Sequence, residues 1–202
     1  MKVNGSVFNN NLNHGVLIQS TSNATIRNVD FLDIAMNGNA FSGLYAYANG
    51  GAMSNFNINN TTASSNSQNG FYLNSSGTGV MNGIRLSGVT ANNNVQNGLY
   101  INGAAATTSV MNNVSVASSN FLNNGVNGIY LQKGIAGSTF NIDLGGGASG
   151  SIGQNRSFGN TGKDLRLNYT GGGAVFAKNN WWGNVTGLQA GRVTLSASTT
   201  VD

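Results

Sequence analysis

The chain has 202 residues, enough for one domain with a substantial core, and a lopsided composition: 30 Gly, 36 Asn, no Pro, Cys or Glu, and 7% charged against 39% hydrophobic residues. That balance argues against a charge-swollen disordered chain, and the lack of cysteine removes any disulfide or thiolate-metal framework. The net charge of +4 comes from nine Lys/Arg and five Asp spread from Lys2 onward, with neither the cationic cluster expected of a nucleic-acid binder nor the roughly 18 consecutive apolar residues of a membrane span.

In chain order, "MKVNGSVFNNNLNHG" lacks the apolar run of about 7–15 residues of a secretory signal and already reads as part of a coil. Gly15 is followed by Val16-Leu17-Ile18, and the same unit returns as Gly43 with Leu44-Tyr45-Ala46, Gly70 with Phe71-Tyr72-Leu73, Gly98 with Leu99-Tyr100-Ile101, and Gly128 with Ile129-Tyr130-Leu131. The intervals of 28, 27, 28 and 30 residues mark a solenoid. In each triplet the outer two side chains face inward and the middle one outward, because side chains alternate along a strand. A second short alternating segment follows each anchor: "NVDF" at 28–31, "FNIN" at 56–59, "GIRL" at 83–86 and "NVSV" at 113–116. Asn, Gly, Ser and Thr between them predict turns.

After the fifth anchor the pattern stretches. "LGGGASGSIG" at 144–153 reads as a protruding loop, and the next anchor position is Asp164, 36 residues after Gly128, followed by Leu165 and Leu167 as the inward pair. "AKNNWWG" at 177–183 predicts one tryptophan ring plugging the end of the coil stack and one outside. Residues 1–187 are expected to form the β-helix as part of a longer one, and 188–202 a terminal strand or tail. Asn69, Asn97 and Asn127, with His14 and Ser42 in the first two coils, are expected to form a column in a tight Asn-Gly turn.

The "NNGVNGIYL" type repeat, "NRSFGNTGKDLRLNY" at 155–169 and "AKNNWWG" resemble the right-handed parallel β-helix repeat proteins of pectin-lyase-like fold, including the nitrous-oxide-reductase maturation factor type, from about Val3 to Gly183. The resemblance implies an all-β, single-stranded right-handed parallel β-helix of about six to seven coils of roughly 28 residues. It is poorly specific for function, since the fold carries lyases, hydrolases, epimerases, adhesins and phage tailspikes.

The outward column of Leu17, Tyr45, Tyr72, Tyr100, Tyr130 and Arg166 is the candidate ligand-binding surface, because a pyranose packs its C–H groups on aromatic faces. The competing expectation is that the tyrosines only stabilise the sheet by stacking. Lyases and hydrolases of the resembling fold use clustered carboxylates, the lyases with calcium and an Arg or Lys base. Here the carboxylates are Asp30, Asp33, Asp143, Asp164 and Asp202. Asp30 and Asp33 are expected to cap turns, and Asp164 with Arg166, two apart, to share the outward face as the weak catalytic candidates, with a surface ion pair the plainer expectation. His14 has no partner of metal-ligand type in sequence, so no metal site is expected, and calcium enters only if the chain is a lyase.

These features lead to the expectation of a non-catalytic, extracellular or cell-surface β-helix, cut from a longer exported protein, that binds polysaccharide along the tyrosine column. A fragment of a polysaccharide lyase or glycoside hydrolase and a purely structural adhesin or stalk segment are the alternatives. End-to-end self-association through uncapped coils is a further expectation.

Overall fold

The apolar triplets go inward in pairs as alternation requires. Leu44, Phe71, Leu99, Ile129 and Leu165 are fully buried, and so are Ala46, Leu73, Ile101, Leu131 and Leu167 two residues on. A computed structural model describes residues 1–103, 108–196 and 199–201. These form an all-β parallel β-solenoid of about seven turns of about 28 residues.

The triplets head a seven-stranded parallel sheet made of β2 (Val16–Thr21), β4 (Leu44–Asn49), β6 (Phe71–Ser76), β8 (Leu99–Gly103), β11 (Ile129–Lys133), β14 (Leu165–Tyr169) and β16 (Val193–Leu195). The second half of each turn supplies an eight-stranded sheet: β1 (Lys2–Asn4), β3 (Thr25–Leu32), β5 (Ala52–Asn59), β7 (Val80–Ser87), β9 (Val110–Ala117), β12 (Thr139–Gly145), β15 (Gly173–Ala177) and β17 (Thr199–Val201). A narrow third face carries β10 (Asn120–Leu122), β13 (Arg156–Phe158) and single bridges such as Ala35 to Thr62 and Thr62 to Thr90. Among the described residues the only helical turn is the three-residue 3-10 segment Ala190–Arg192. β16 and β17 continue both sheets, so the C-terminal segment adds strands to the stack.

The second strands are longer than their alternation suggests, and a bulge explains why. In β3 and β5, Arg27 pairs with Ser54 and Val29 with Phe56, while Asn28 and Asn55 between them are left-handed, with φ of 56° and 53°. Gly83 and Asn113 repeat the feature at 68° and 50°. The extra residue shifts the in/out phase, so Met53, Met81 and Met111 point into the core ahead of it and Phe56, Ile84 and Val114 after it. Two further left-handed columns run along the stack. One runs through Gly5, Asp33, Asn60, Gly88, Ser118, Gln154 and Asn179, the other through Asn10, Gly38, Ser65, Asn93, Asn123, Gly159 and Gly183. Asp33 thus occupies a turn position. Asp30 does not: it lies within β3, where its Oδ1 accepts the Asn57 amide at 2.8 Å.

The anchor glycines lie at bends directly before their strands, as expected of a turn, but for a steric reason. None of Gly15, Gly43, Gly70, Gly98 and Gly128 has a left-handed φ; what they lack is room. They let the chain press against the facing wall of the same turn and against the next turn.

Six asparagines, Asn11, Asn39, Asn66, Asn94, Asn124 and Asn160, each sit four residues before an anchor position and form a ladder along the stack. Each Oδ1 from Asn39 onward accepts both the backbone N–H and the side-chain amide of the preceding asparagine, for example Asn66 N and Nδ2 on Asn94 Oδ1 at 2.9 and 3.0 Å. Five of the six, from Asn39 on, are buried. Asn69, Asn97 and Asn127 form a second ladder of opposite polarity, in which the later turn donates to the earlier. Serine and histidine continue it: Asn69 N donates to Ser42 Oγ and Ser42 N to His14 Nδ1. Burial holds the His14 imidazole below its ordinary pKa. Trp182 is buried and Trp181 is 41% exposed, the division expected of the pair. The strands that follow show that Trp182 packs inside the stack and does not end it.

Candidate functional site

The seven-stranded sheet presents the tyrosine column. Its strands are paired without offset, Tyr45 opposite Tyr72, Tyr72 opposite Tyr100 and Tyr100 opposite Tyr130, so the spacing between strands becomes the spacing between rings. Successive ring centroids are 4.7 Å apart and the planes are inclined by only 10°, 5° and 2°. At one end the His14 ring lies 5.1 Å from Tyr45; at the other the Arg166 guanidinium sits over Tyr130, 4.7 Å from its centroid.

This arrangement corrects the expected mode of sugar contact. From Tyr45 to Tyr130 the rings cover one another's faces, Arg166 covers the last and a His14 ring tilted by 44° stands beside the first, so what remains outward are chiefly ring edges and hydroxyls. An open π-face for a pyranose is therefore not offered along the column. The hydroxyls are tied into a second column two residues on, Tyr47, Asn74, Asn102 and Gln132. Tyr100 and Tyr130 both donate to Gln132 Oε1, Asn74 Nδ2 donates to Tyr45 Oη at 3.2 Å, and Ser76 Oγ to Tyr47 Oη at 2.9 Å.

Burial pushes the hydroxyls of Tyr45, Tyr72 and Tyr100 up from the ordinary tyrosine range, and that of the core residue Tyr169 as well. Above a pH of about 10 the unfolded chain releases these protons while the folded chain keeps them, so this contribution to stability is complete below that pH and is lost as the pH rises toward the folded values. In an alkaline titration, tyrosinate absorbance from these residues is expected to appear together with the loss of the far-ultraviolet β signal. Full tyrosinate absorbance on an intact fold would contradict it.

Asp164 and Arg166 are not brought together. Asp164 occupies the anchor column and is 1% exposed; Arg192 Nε and Nη2 each donate to its carboxylate at 2.8 Å, and Asn160 Nδ2 donates to it at 2.9 Å. Arg192 also donates to the Asn160 and Gly162 carbonyls, so this buried group closes the long asparagine ladder. Its partner lies one period downstream, at a spacing a search for neighbouring acid and base residues does not reach. Arg166 remains outward on the ring of Tyr130.

Two of the other carboxylates, Asp30 and Asp143, are also engaged. Asp143 is buried, with Oδ1 accepting Gly145 N and Gly147 N at 2.9 and 3.0 Å and Oδ2 accepting Ser151 N at 3.0 Å, which fixes the expected protruding loop. Asp202 lies outside the described residues. No group of three or more His, Cys, Asp or Glu residues able to hold a metal ion occurs among the described residues. Asp30 and Asp33, like Asp143, lie on the eight-stranded sheet or the turn beyond it. The outward surface of the seven-stranded sheet thus carries Arg166, with Lys133 half-buried at the end of β11, and no carboxylate among its described residues.

No protein-family model matches the chain, and no curated protein matches it. Among solved structures it is similar to a trypsin-treated variant of QnrB1, a plasmid-mediated fluoroquinolone resistance protein, at 16% identity over 98% of this chain and 92% of that one, with a TM-score of 0.25. A likeness of that size contributes nothing to the functional reading.

Proposed function

We propose that this chain is a non-catalytic, secreted or cell-surface parallel β-helix of the pectin-lyase-like kind that binds polysaccharide along its seven-stranded sheet. The supporting observation is the pair of outward columns, tyrosine hydroxyls beside Asn and Gln amides, repeated at a 4.7 Å ring spacing on a surface without described carboxylates. A periodic polymer laid along the solenoid axis would meet the same donors and acceptors at each step. Ring edges and hydrogen-bonding groups would make the contact, in place of open ring faces.

A glycan array probed with the purified chain, with and without calcium, and monitored for unsaturated product, tests this reading. The Tyr72→Phe, Tyr100→Phe variant keeps the ring stack and removes two hydroxyls; it is expected to lose glycan affinity by about tenfold or more, roughly 1.4 kcal/mol, with little change in melting temperature. Absence of any bound glycan, or undiminished binding by the variant, would refute the proposal. Released product would move the reading to a lyase.

A structural stalk is the second reading, favoured by the covered ring faces. On that reading Tyr72→Ala, Tyr100→Ala breaks three stacked pairs and costs about 2–4 kcal/mol of stability while no glycan is bound by the parent chain.

A further inference from the structure

We propose that a second carbohydrate subsite, for a single neutral sugar ring, lies on the opposite sheet, in the cleft between the 146–151 loop and strands β9, β12 and β15. The cleft is about 270 Å³ and is lined by Asn113, Asn141, Asp143, Ser149, Ala174 and Phe176 among others. Ligand pockets run from about 300 to 1,000 Å³, so this one suits one ring and not an oligomer.

Phe176 supplies what the tyrosine column lacks. It is 39% exposed, belongs to no aromatic stack among the described residues, and forms part of the cleft wall, so it has surface for the C–H groups of a pyranose. Polar groups stand around it. Asn113 and Asn141 are exposed; each donates one amide N–H to the preceding turn, Asn113 to Asn82 at 3.0 Å and Asn141 to Asn112 at 2.8 Å. Their side-chain carbonyl oxygens accept nothing among the described residues and are free to take sugar hydroxyl protons. Ser149 adds a hydroxyl on the loop side.

The neutral character of the ligand follows from the only charged lining residue. Both oxygens of Asp143 are taken by backbone N–H groups of the loop, so the carboxylate holds the wall in place and does not face a ligand cation unshared. Gly147 is part of the same design: a Cβ there would stand 2.8 Å from Phe176 Cδ2, so only glycine lets the loop lie against the ring. A loop fixed in this way loses little freedom on binding, which favours recognition by few contacts.

This inference deepens the polysaccharide reading but uses different residues, so the two fail separately. Saturation-transfer NMR on the full chain with the methyl glycosides of glucose, galactose, mannose and N-acetylglucosamine is the test. At least one is expected to bind with a Kd of about millimolar, with saturation concentrated on one ring face. Phe176→Ala should weaken it by about tenfold or more at unchanged melting temperature, and Asn141→Ala, which leaves the ring in place, by several-fold. Tyr72→Phe, Tyr100→Phe should leave it intact. Failure of all four glycosides, or binding indifferent to both cleft substitutions, overturns the subsite even if the array finds a polysaccharide on the tyrosine sheet.

Discussion

Replacing Asn94 by alanine is expected to destabilise the solenoid by about 3–6 kcal/mol, a large effect for an uncharged polar residue in a chain with so many asparagines. Asn94 Oδ1 is the acceptor for two buried donors of the turn before, Asn66 N at 2.9 Å and Asn66 Nδ2 at 3.0 Å, and both are left unpaired when it goes. Each unpaired buried donor costs about 1–3 kcal/mol. Asn94 Nδ2 also donates to Asn124 Oδ1 at 3.1 Å, so the ladder is cut on both sides of one turn. Asn82→Ala is the control. Asn82 also accepts from an asparagine of the following turn, Asn113, at 3.0 Å, but on the exposed face, where water takes the place of the lost partner, and a change within about 0.5 kcal/mol is expected. At about 2–4 °C per kcal/mol for a domain of this size, the first variant should melt about 6–24 °C below the parent and the second within about 2 °C of it. Equal melting temperatures would mean that the ladder contributes no more than surface amides.

The contrast between those two asparagines shows where sequence reasoning stopped. The period, the inward pairs at Leu99 and Ile101 and their equivalents, and the outward tyrosines follow from alternation alone, and the solenoid follows from them. The long ladder does not register in a search for apolar periodicity, because its residues are polar. Its signal is positional: an asparagine four residues before every anchor, from Asn11 to Asn160. The second strands were half visible because the left-handed residue at Asn28, Asn55, Gly83 and Asn113 breaks the two-residue period, so alternation could be followed only beyond it.

The site itself was legible in membership and not in geometry. Tyr45, Tyr72, Tyr100 and Tyr130 do form one column, and Arg166 does continue it. The unshifted register that aligns the rings also closes their faces, a consequence of a strand spacing of about 4.8 Å, near the stacking distance of aromatic rings. Asp164 belongs to the anchor column, but that column is interior and not on the outward face expected of it, and its carboxylate is kept there by Arg192 from the next turn. Phe176 carried no sequence signal of its own, since its exposure depends on how the 146–151 loop is folded back by Asp143.

The anchor glycines bear the other large expected effect. Gly70→Ala should cost about 3 kcal/mol or more, at the upper end of what overpacking does, because the added carbon meets atoms on three sides. It would stand 2.6 Å from Ala91 Cβ, 2.7 Å from the Ala63 carbonyl oxygen and 2.7 Å from the Gly98 carbonyl oxygen, and two of these three belong to backbone fixed in the ladder of turns. Intrinsic preference works the other way, since Gly70 has no left-handed φ and alanine reduces the freedom of the unfolded chain by about 0.4–1 kcal/mol. Gly191→Ala isolates that term: nothing lies within 4 Å of its added carbon, and it should be neutral or slightly stabilising. A second substitution separates side-chain from backbone crowding. Ala91→Gly in the Gly70→Ala chain removes the 2.6 Å contact and leaves the two carbonyl contacts, so it should restore less than half of the lost stability. Complete restoration would mean that the turns can shift apart at the anchor column. The coil spacing would then be set by the hydrogen-bonded strands alone, and the glycines would not be needed to hold the walls together.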